Sequence, residues 1–492
     1  MHVGTVCISL VFASWLSTGL NTKKVGGSNK SKQSPAFSCE NNNKQNAMAV
    51  GARASSIYPA DHAVRVGYDE PLLGRRNEVA SPPESKAAAA AAALEDDGNA
   101  SFVQTCLNGL NALSGVGLLS VPYALAEGGW LSLALLIAVA CICWYTGLLL
   151  QRCMAADPSI KTYPDIGERA FGRGGRLLVS YFMYAELYLV AIGFLILDGD
   201  NLDKLFPGAA VRLGPVTLAG KRLFVVLVAV AVAPTTWLRG LGVLAYVSAT
   251  GVFASLVIVL SVLWAAAVDG VGFEGRDATA ALRPAGLPTA LGLYTFCYCG
   301  HAVFPTLYTS MKDKSRFPKM LAICFVLCTL NYGSMAVLGY LMYGDGVQSQ
   351  VTLNLPAARL SSKVAIFTTL VNPFSKYALV VTPIAAAIED RIRAARGAAS
   401  SAAVAVRTLL VLSTVAVALA VPFFGYLMAL VGSLLSVGAS MLLPCACYVR
   451  LFGPPRRAAE AAAVVAIVAM GSLVVVTGTY DSLVKIVREL MT

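Results

Sequence analysis

Eleven apolar stretches follow one another from about Ser101 to the end of this chain, and two of them carry the same interruption. One reads Ser114-Gly115-Val116-Gly117-Leu118-Leu119-Ser120-Val121-Pro122. The other reads Cys299-Gly300-His301-Ala302-Val303-Phe304-Pro305, and in both a glycine stands five residues ahead of a proline. Inside a bilayer a helix breaks only where the freed backbone groups are buried in protein or line a polar cavity. Paired breaks in well-separated spans are the pattern of a secondary carrier built from inverted repeats, with its binding site at the broken segments.

Composition agrees with a bilayer environment: 57% of residues are hydrophobic and 13% charged, against about 25% charged in soluble domains. Runs of roughly 20 apolar residues place spans near 103–126, 130–152, 175–198, 221–238, 243–264, 286–308, 317–343, 361–385, 402–421, 423–449 and 458–480. The fold class is therefore an all-α polytopic membrane protein of about eleven transmembrane helices. Ten or twelve spans stay open, because Trp237 to Gly240 and Pro422 are very short connections.

Charge orients the bundle. Counting the amino-terminal side and every second loop as cytoplasmic gives those loops 17 Lys/Arg and the opposite side 10, the expected positive-inside bias. The amino-terminal tail is thus expected in the cytoplasm and the carboxyl terminus on the lumenal or extracellular side. The net charge of +11 lies almost wholly in membrane-flanking loops, since residues 1–100 hold 10 basic and 9 acidic side chains. No nucleic-acid partner is needed to explain it.

Residues 1–100 are rich in Ser, Asn, Lys, Pro and Gly and read as a disordered cytoplasmic tail; residues 101–492 read as the transmembrane domain. Val3 to Leu20 is an apolar patch without a preceding Lys or Arg and without an Ala-x-Ala site, which speaks against a cleaved signal peptide. A start near Met48 is the other reading of this stretch. Asp69-Glu70-Pro71-Leu72-Leu73 has the form of an acidic dileucine sorting signal.

Several classes are excluded or unsupported. The twelve cysteines sit mostly inside spans and form no Cys-x-x-Cys pair, so no metal or redox cofactor is expected. No Gly-x-x-x-x-Gly-Lys-Ser/Thr loop is present, which argues against an ATP-driven pump. With His301 as the one histidine outside the tail, no hydrolytic triad can be assembled, and the chain is not read as an enzyme.

The breaks themselves suggest a ligand. Where the first span unwinds at Ser114, Gly115, Val116 and Gly117, the following half-helix offers free N–H groups and the positive end of its dipole, which suit a carboxylate. Carbonyls before a break and around Phe296, Cys297 and Gly300 suit an ammonium group. Both together fit a zwitterionic amino acid. The plainer alternative is that Gly and Pro only kink two packed helices.

Three ionisable residues within spans, Glu186, His301 and Lys376, should face the interior, because an unpaired charge in lipid costs several kcal/mol. Lys376, in Asn372-Pro373-Phe374-Ser375-Lys376-Tyr377, is read either as an ammonium standing where a sodium ion sits in sodium-coupled carriers, which would suit proton coupling, or as a fixed cation bonded to carbonyls. His301 is either a titrating group or a hydrogen bond that closes the break. Glu186 is either a proton carrier or the partner of a polar group on a neighbouring helix. Tyr181, Tyr184, Tyr294, Tyr298 and Tyr377 are further residues that would line a pocket or simply pack.

The runs Gly109 to Ala124, Tyr163-Pro164-Asp165-Ile166-Gly167, Gly300 to Tyr308 and Asn372 to Leu379 closely resemble the plant vacuolar amino acid transporters of the amino acid/auxin permease family. The resemblance covers about Ser101 to the end. It implies a five-plus-five inverted repeat like that of the bacterial leucine transporter, one added last helix, and movement of neutral amino acids with protons. It further implies a vacuolar membrane, with the plasma membrane as the alternative, a substrate site at Ser114, Gly115, Val116, Gly117, Phe296, Cys297 and Gly300, and Lys376 as the coupling group. An auxin-type carrier of an aromatic weak acid and a non-transporting amino acid sensor are the other functional readings.

Overall fold

A computed structural model describes residues 98, 100–213, 216–237, 251–396 and 400–491. The expectations for the tail up to residue 97, the patch Val3 to Leu20, the dileucine segment and the start of the fifth span at 243–250 lie outside the described residues.

Eight helices are long and apolar enough to cross a bilayer, and Gly251–Ala267 is a shorter apolar one. The two remaining spans are each a pair of short helices, so the described residues contain eleven spans. The first is α1 (Phe102–Leu113), a 3-10 turn (Val116–Leu119) and α2 (Val121–Gly128). Then come α3 (Ser132–Ala156), α4 (Tyr163–Leu205), a hairpin β1 (Ala210–Leu213) and β2 (Val216–Ala219), α5 (Gly220–Trp237) and α6 (Gly251–Ala267). The sixth span is α7 (Leu287–Cys297) and α8 (Phe304–Ser310), followed by α9 (Phe317–Tyr343), α10 (Leu360–Arg396) and α11 (Ser400–Ala420). The tenth is α12 (Phe424–Leu430), a π-helical stretch (Val431–Ser436 and Gly438–Leu442) and α13 (Leu443–Phe452); α14 (Ala458–Met491) is the last. The two broken spans are those carrying the matched Gly/Pro interruptions.

Local chemistry sets the element ends. Ser101 caps α1, its hydroxyl accepting the Gln104 N–H at 3.2 Å, and Pro122, Pro288 and Pro305 sit in the first turns of α2, α7 and α8, where a missing N–H costs nothing. Helix α4 extends past both ends of the expected 175–198. Its start is a polar segment fixed by a Thr162/Asp165 capping box and by Arg176, which pairs with Asp165 at 3.1 Å and Glu168 at 2.5 Å. Gly172, at φ +69°, bends the chain into the span proper. At its far end, Asn201 donates to Gln350 (2.7 Å), Gln350 donates to Asp200 (2.7 Å), and Lys221 pairs with Asp200 (2.5 Å).

Lipid supplies no hydrophobic push between helices, so close backbone approach at small residues carries the packing. Gly432 shows the extreme case: a Cβ there would lie 1.8 Å from the Gly292 carbonyl oxygen. Helix α14 leans on the same region, with Gly478 against Ser433 and Gly471 against Leu442. Its Lys485 joins the second half of the first broken span to the first half of the sixth, pairing with Glu127 at 3.0 Å and donating to Thr289 at 2.7 Å.

Candidate functional site

The two breaks face one another. A Cβ on Gly117 would stand 2.7 Å from Cys297 Sγ, and one on Gly300 would stand 2.9 Å from Leu113 Cδ2. Of the seven sequence-predicted residues, Ser114, Gly115, Val116 and Gly117 lie in the first break, Phe296 and Cys297 end α7, and Gly300 lies in the second break, and the fold brings these two stretches together. Gly115 differs from its neighbour: a Cβ there would meet no atom within 4 Å, so its Cα faces open space.

Backbone hydrogen bonds in the first break can be followed group by group, because buried N–H and C=O groups must find partners. In a continuous helix the amides of Gly115, Val116, Gly117 and Leu118 would bond the carbonyls of Asn111, Ala112, Leu113 and Ser114. Here the Lys376 ammonium donates to Asn111 O (3.3 Å) and Ser114 O (3.2 Å). The Tyr332 hydroxyl donates to Leu113 O (2.5 Å) and accepts from the Gly115 N–H (3.3 Å). Leu118 N–H turns back to Gly115 O at 3.3 Å, as the 3-10 turn requires. Among the described residues the amides of Val116 and Gly117 find no acceptor. Two adjacent donors at the start of a helical turn, beside the open space at Gly115, suit an anionic group such as a carboxylate.

Other helices brace this break. Ser114 and Ser255 share a hydroxyl hydrogen bond at 2.5 Å. Ser255 donates onward to Gly251 O at 2.9 Å, so the shared proton comes from Ser114. Gly251 leaves room for the Asn111 amide beside the ammonium, since a Cβ there would stand 2.6 Å from Asn111 Oδ1 and in ordinary contact, at 3.6 Å, with Lys376 Nζ. Pro373 lies within α10 one turn before Lys376.

The other two ionisable candidates sit at the second break. Glu186 is buried and its carboxylate accepts the Ser436 hydroxyl at 2.5 Å and a hydrogen bond from the Cys299 thiol. Ser440, one turn beyond, donates to Cys299 Sγ at 3.4 Å. Both serines belong to the π-helical stretch of the tenth span, and wide π turns often mark functional positions. Glu186 therefore joins α4, the second break and the tenth span. His301 is fully buried and reaches away from Cys299 to α3: Nε2 lies 3.0 Å from Thr146 Oγ1, and the ring packs on Phe304. Thr146 spends its proton on carbonyls of its own helix, so His301 Nε2 is the donor and Nδ1 keeps a lone pair without a partner among the described residues.

Of the tyrosines, Tyr294, Tyr298 and Tyr377 bond to Ser132, Thr329 and Thr414 and pack in the core, while Tyr181 is exposed. Sequence reasoning missed Tyr332, Ser255, Ser436 and Ser440, for which hydroxyl residues within apolar runs were the available signal. It also missed Asp198, 2% exposed, with an Oδ1 that has no partner among the described residues; that residue coincides with the expected end of the third span. Among the described residues no group of three or more His, Cys, Asp or Glu is placed to hold a metal ion.

A family model described as transmembrane amino acid transporter protein matches residues 98–484. The chain is 52% identical over 386 residues to amino acid transporter AVT1J of Arabidopsis thaliana, covering 78% of this chain and 91% of that protein. It is also 52% identical over 391 residues to amino acid transporter AVT1I of the same plant, covering 79% and 96% respectively. Among solved structures, MhsT in complex with L-phenylalanine superposes with a TM-score of 0.52 at 12% identity, covering 77% of this chain and 98% of that one. At that identity the likeness carries the fold alone, and it agrees with the leucine-transporter-like architecture of two broken spans and an added last helix.

Proposed function

The chain belongs to the transmembrane amino acid transporter family, and on that premise we propose that it moves neutral amino acids across a membrane together with protons, by alternating access around its two broken spans. It is an amino acid transporter and not an enzyme. The observation that carries the finer reading is the first break: side chains satisfy three of its four freed carbonyls, while two amides have no acceptor among the described residues and stand beside open space. A carboxylate completes that arrangement, and the Ala112 carbonyl, which has no donor among the described residues, supplies an acceptor for the ammonium.

Lys376 is the coupling group in this account. Its ammonium holds two carbonyls three residues apart in the first break, so loss of the proton would turn two charge-assisted hydrogen bonds into weaker neutral ones and loosen the segment that binds substrate. Glu186, linking the second break to the tenth span, is the second proton-handling candidate, and His301 serves mainly to anchor that break to α3. The membrane is proposed to be the vacuolar one, with the amino-terminal tail cytoplasmic.

Ligand-induced stabilisation tests the carboxylate site. A neutral amino acid is expected to raise the melting temperature of the purified protein, and the corresponding amino acid amide, which has the ammonium and side chain but no carboxylate, is expected to leave it unchanged. Equal stabilisation by both would remove the carboxylate from the reading.

A further inference from the structure

Tyr332 lies on α9, 1% exposed, and reaches the first break across 217 residues of sequence. Its hydroxyl uses both of its capacities there, giving its proton to Leu113 O and accepting the Gly115 N–H. In an unbroken helix Leu113 O would hold the Gly117 N–H, which is one of the two amides left free. We propose that Tyr332 is a positioning residue for the substrate: by occupying Leu113 O it keeps the Gly117 amide available for the substrate carboxylate, and by taking the Gly115 amide it holds the chain turned away from α1.

The inference rests on the first break being the substrate site, and it assigns that site a second pin beside Lys376. The two pins differ in kind. Lys376 brings a charge and holds acceptors only; Tyr332 is neutral and holds one donor and one acceptor, which only a group with both capacities can do. Its ring is itself held in place by an edge contact with Tyr298 at 5.6 Å and a centroid-to-centroid packing of Tyr298 on Phe325 at 5.8 Å. Tyr298 is in turn fixed by its hydrogen bond to Thr329 at 2.9 Å. Removing the hydroxyl alone therefore leaves the ring seated and frees Leu113 O to recapture the Gly117 amide.

The test is Tyr332→Phe in the full chain, reconstituted in liposomes beside the wild type, with initial uptake of a labelled neutral amino acid measured over a range of concentrations. The expected result is a KM raised about tenfold, the size of one lost hydrogen bond, with the maximal rate unchanged and the ligand-free melting temperature somewhat lower, because the Gly115 N–H loses its acceptor. A KM within about twofold of wild type, or a fall in maximal rate and melting temperature with KM unmoved, overturns the proposal in favour of simple packing. Should the phenylalanine variant fail to fold, Tyr332→4-aminophenylalanine is measured in its place, because its amino nitrogen stands where the hydroxyl oxygen does and can donate to Leu113 O. A folded 4-aminophenylalanine variant with KM near wild type supports the pin, and one with a tenfold higher KM overturns it. Absence of saturable uptake by the wild type would remove the substrate site itself, whereas wild-type uptake with an unmoved Tyr332→Phe KM removes only the role of Tyr332.

Discussion

Replacing Lys376 by methionine is expected to abolish accumulation driven by a pH gradient while the protein still folds. Methionine has nearly the length of lysine and fills irregular space well, so the variant removes the charge with little change in volume. What it takes away is the pair of hydrogen bonds to Asn111 O and Ser114 O. Each carbonyl left without a donor costs on the order of 1–3 kcal/mol, so a lower melting temperature is expected alongside the loss of coupling. Alanine at this position should uncouple as well but would add a cavity, which makes methionine the cleaner variant. The checking measurement compares accumulation under an imposed pH gradient with exchange of labelled for unlabelled amino acid at equal pH. Wild-type-like accumulation by Lys376→Met would remove the coupling role and leave Lys376 as a fixed structural cation.

The second large effect separates two glycines that stand two residues apart. Gly115 has φ −120° and ψ −169°, a conformation open to any residue, and a side chain there would project into open space. Gly115→Leu is therefore expected to abolish saturable uptake with an unchanged melting temperature, because its side chain occupies the volume beside the two free amides. Gly117 is the opposite case. Its Cβ would lie 2.7 Å from Cys297 Sγ and 3.3 Å from the Cys297 Cα, and a backbone atom cannot step aside cheaply. Gly117→Ala should push the two breaks apart, with overpacking of about 1–3 kcal/mol, so stability and uptake fall together. Thermal unfolding and uptake measured on both variants check the contrast. Normal uptake by Gly115→Leu would move the substrate away from this break.

Much of this architecture is legible in the sequence because the bilayer enforces it. A span needs its run of apolar residues, and a break needs glycine and proline, so both can be read along the chain without knowing how helices pack. The ends of α4 are less visible: its start is polar and amphipathic, and its far end carries Asp198, Asp200 and Lys204, which hydropathy places outside the membrane. Asp200 and Lys204 are tolerated because Gln350, Lys221 and the Leu353 carbonyl meet them, residues remote in sequence.

At the site, the residue types are legible and their division of labour is not. Lys376 announces itself as a charge in an apolar span, and its carbonyl partners follow from the break. Which of Gly115 and Gly117 faces the open space depends on how the second break sits against the first. Cys297, read from the sequence as a substrate-site residue, is the contact that fills the face of Gly117, which only the packing of α7 on the first break reveals. Tyr332 is one tyrosine among many until α9 is laid beside the first span, and Ser436 and Ser440 gain meaning only once the tenth span is wound as a π-helix against Glu186.

The central claim is that this chain couples amino acid movement to protons, and the most direct test uses the purified full chain in sealed liposomes. Labelled neutral amino acids are supplied with and without an imposed pH gradient, and their internal concentration is followed. Accumulation above the external concentration is expected only while the gradient lasts, collapsing when a protonophore is added. Saturable binding without accumulation, or uptake that proceeds equally with no gradient, would contradict it.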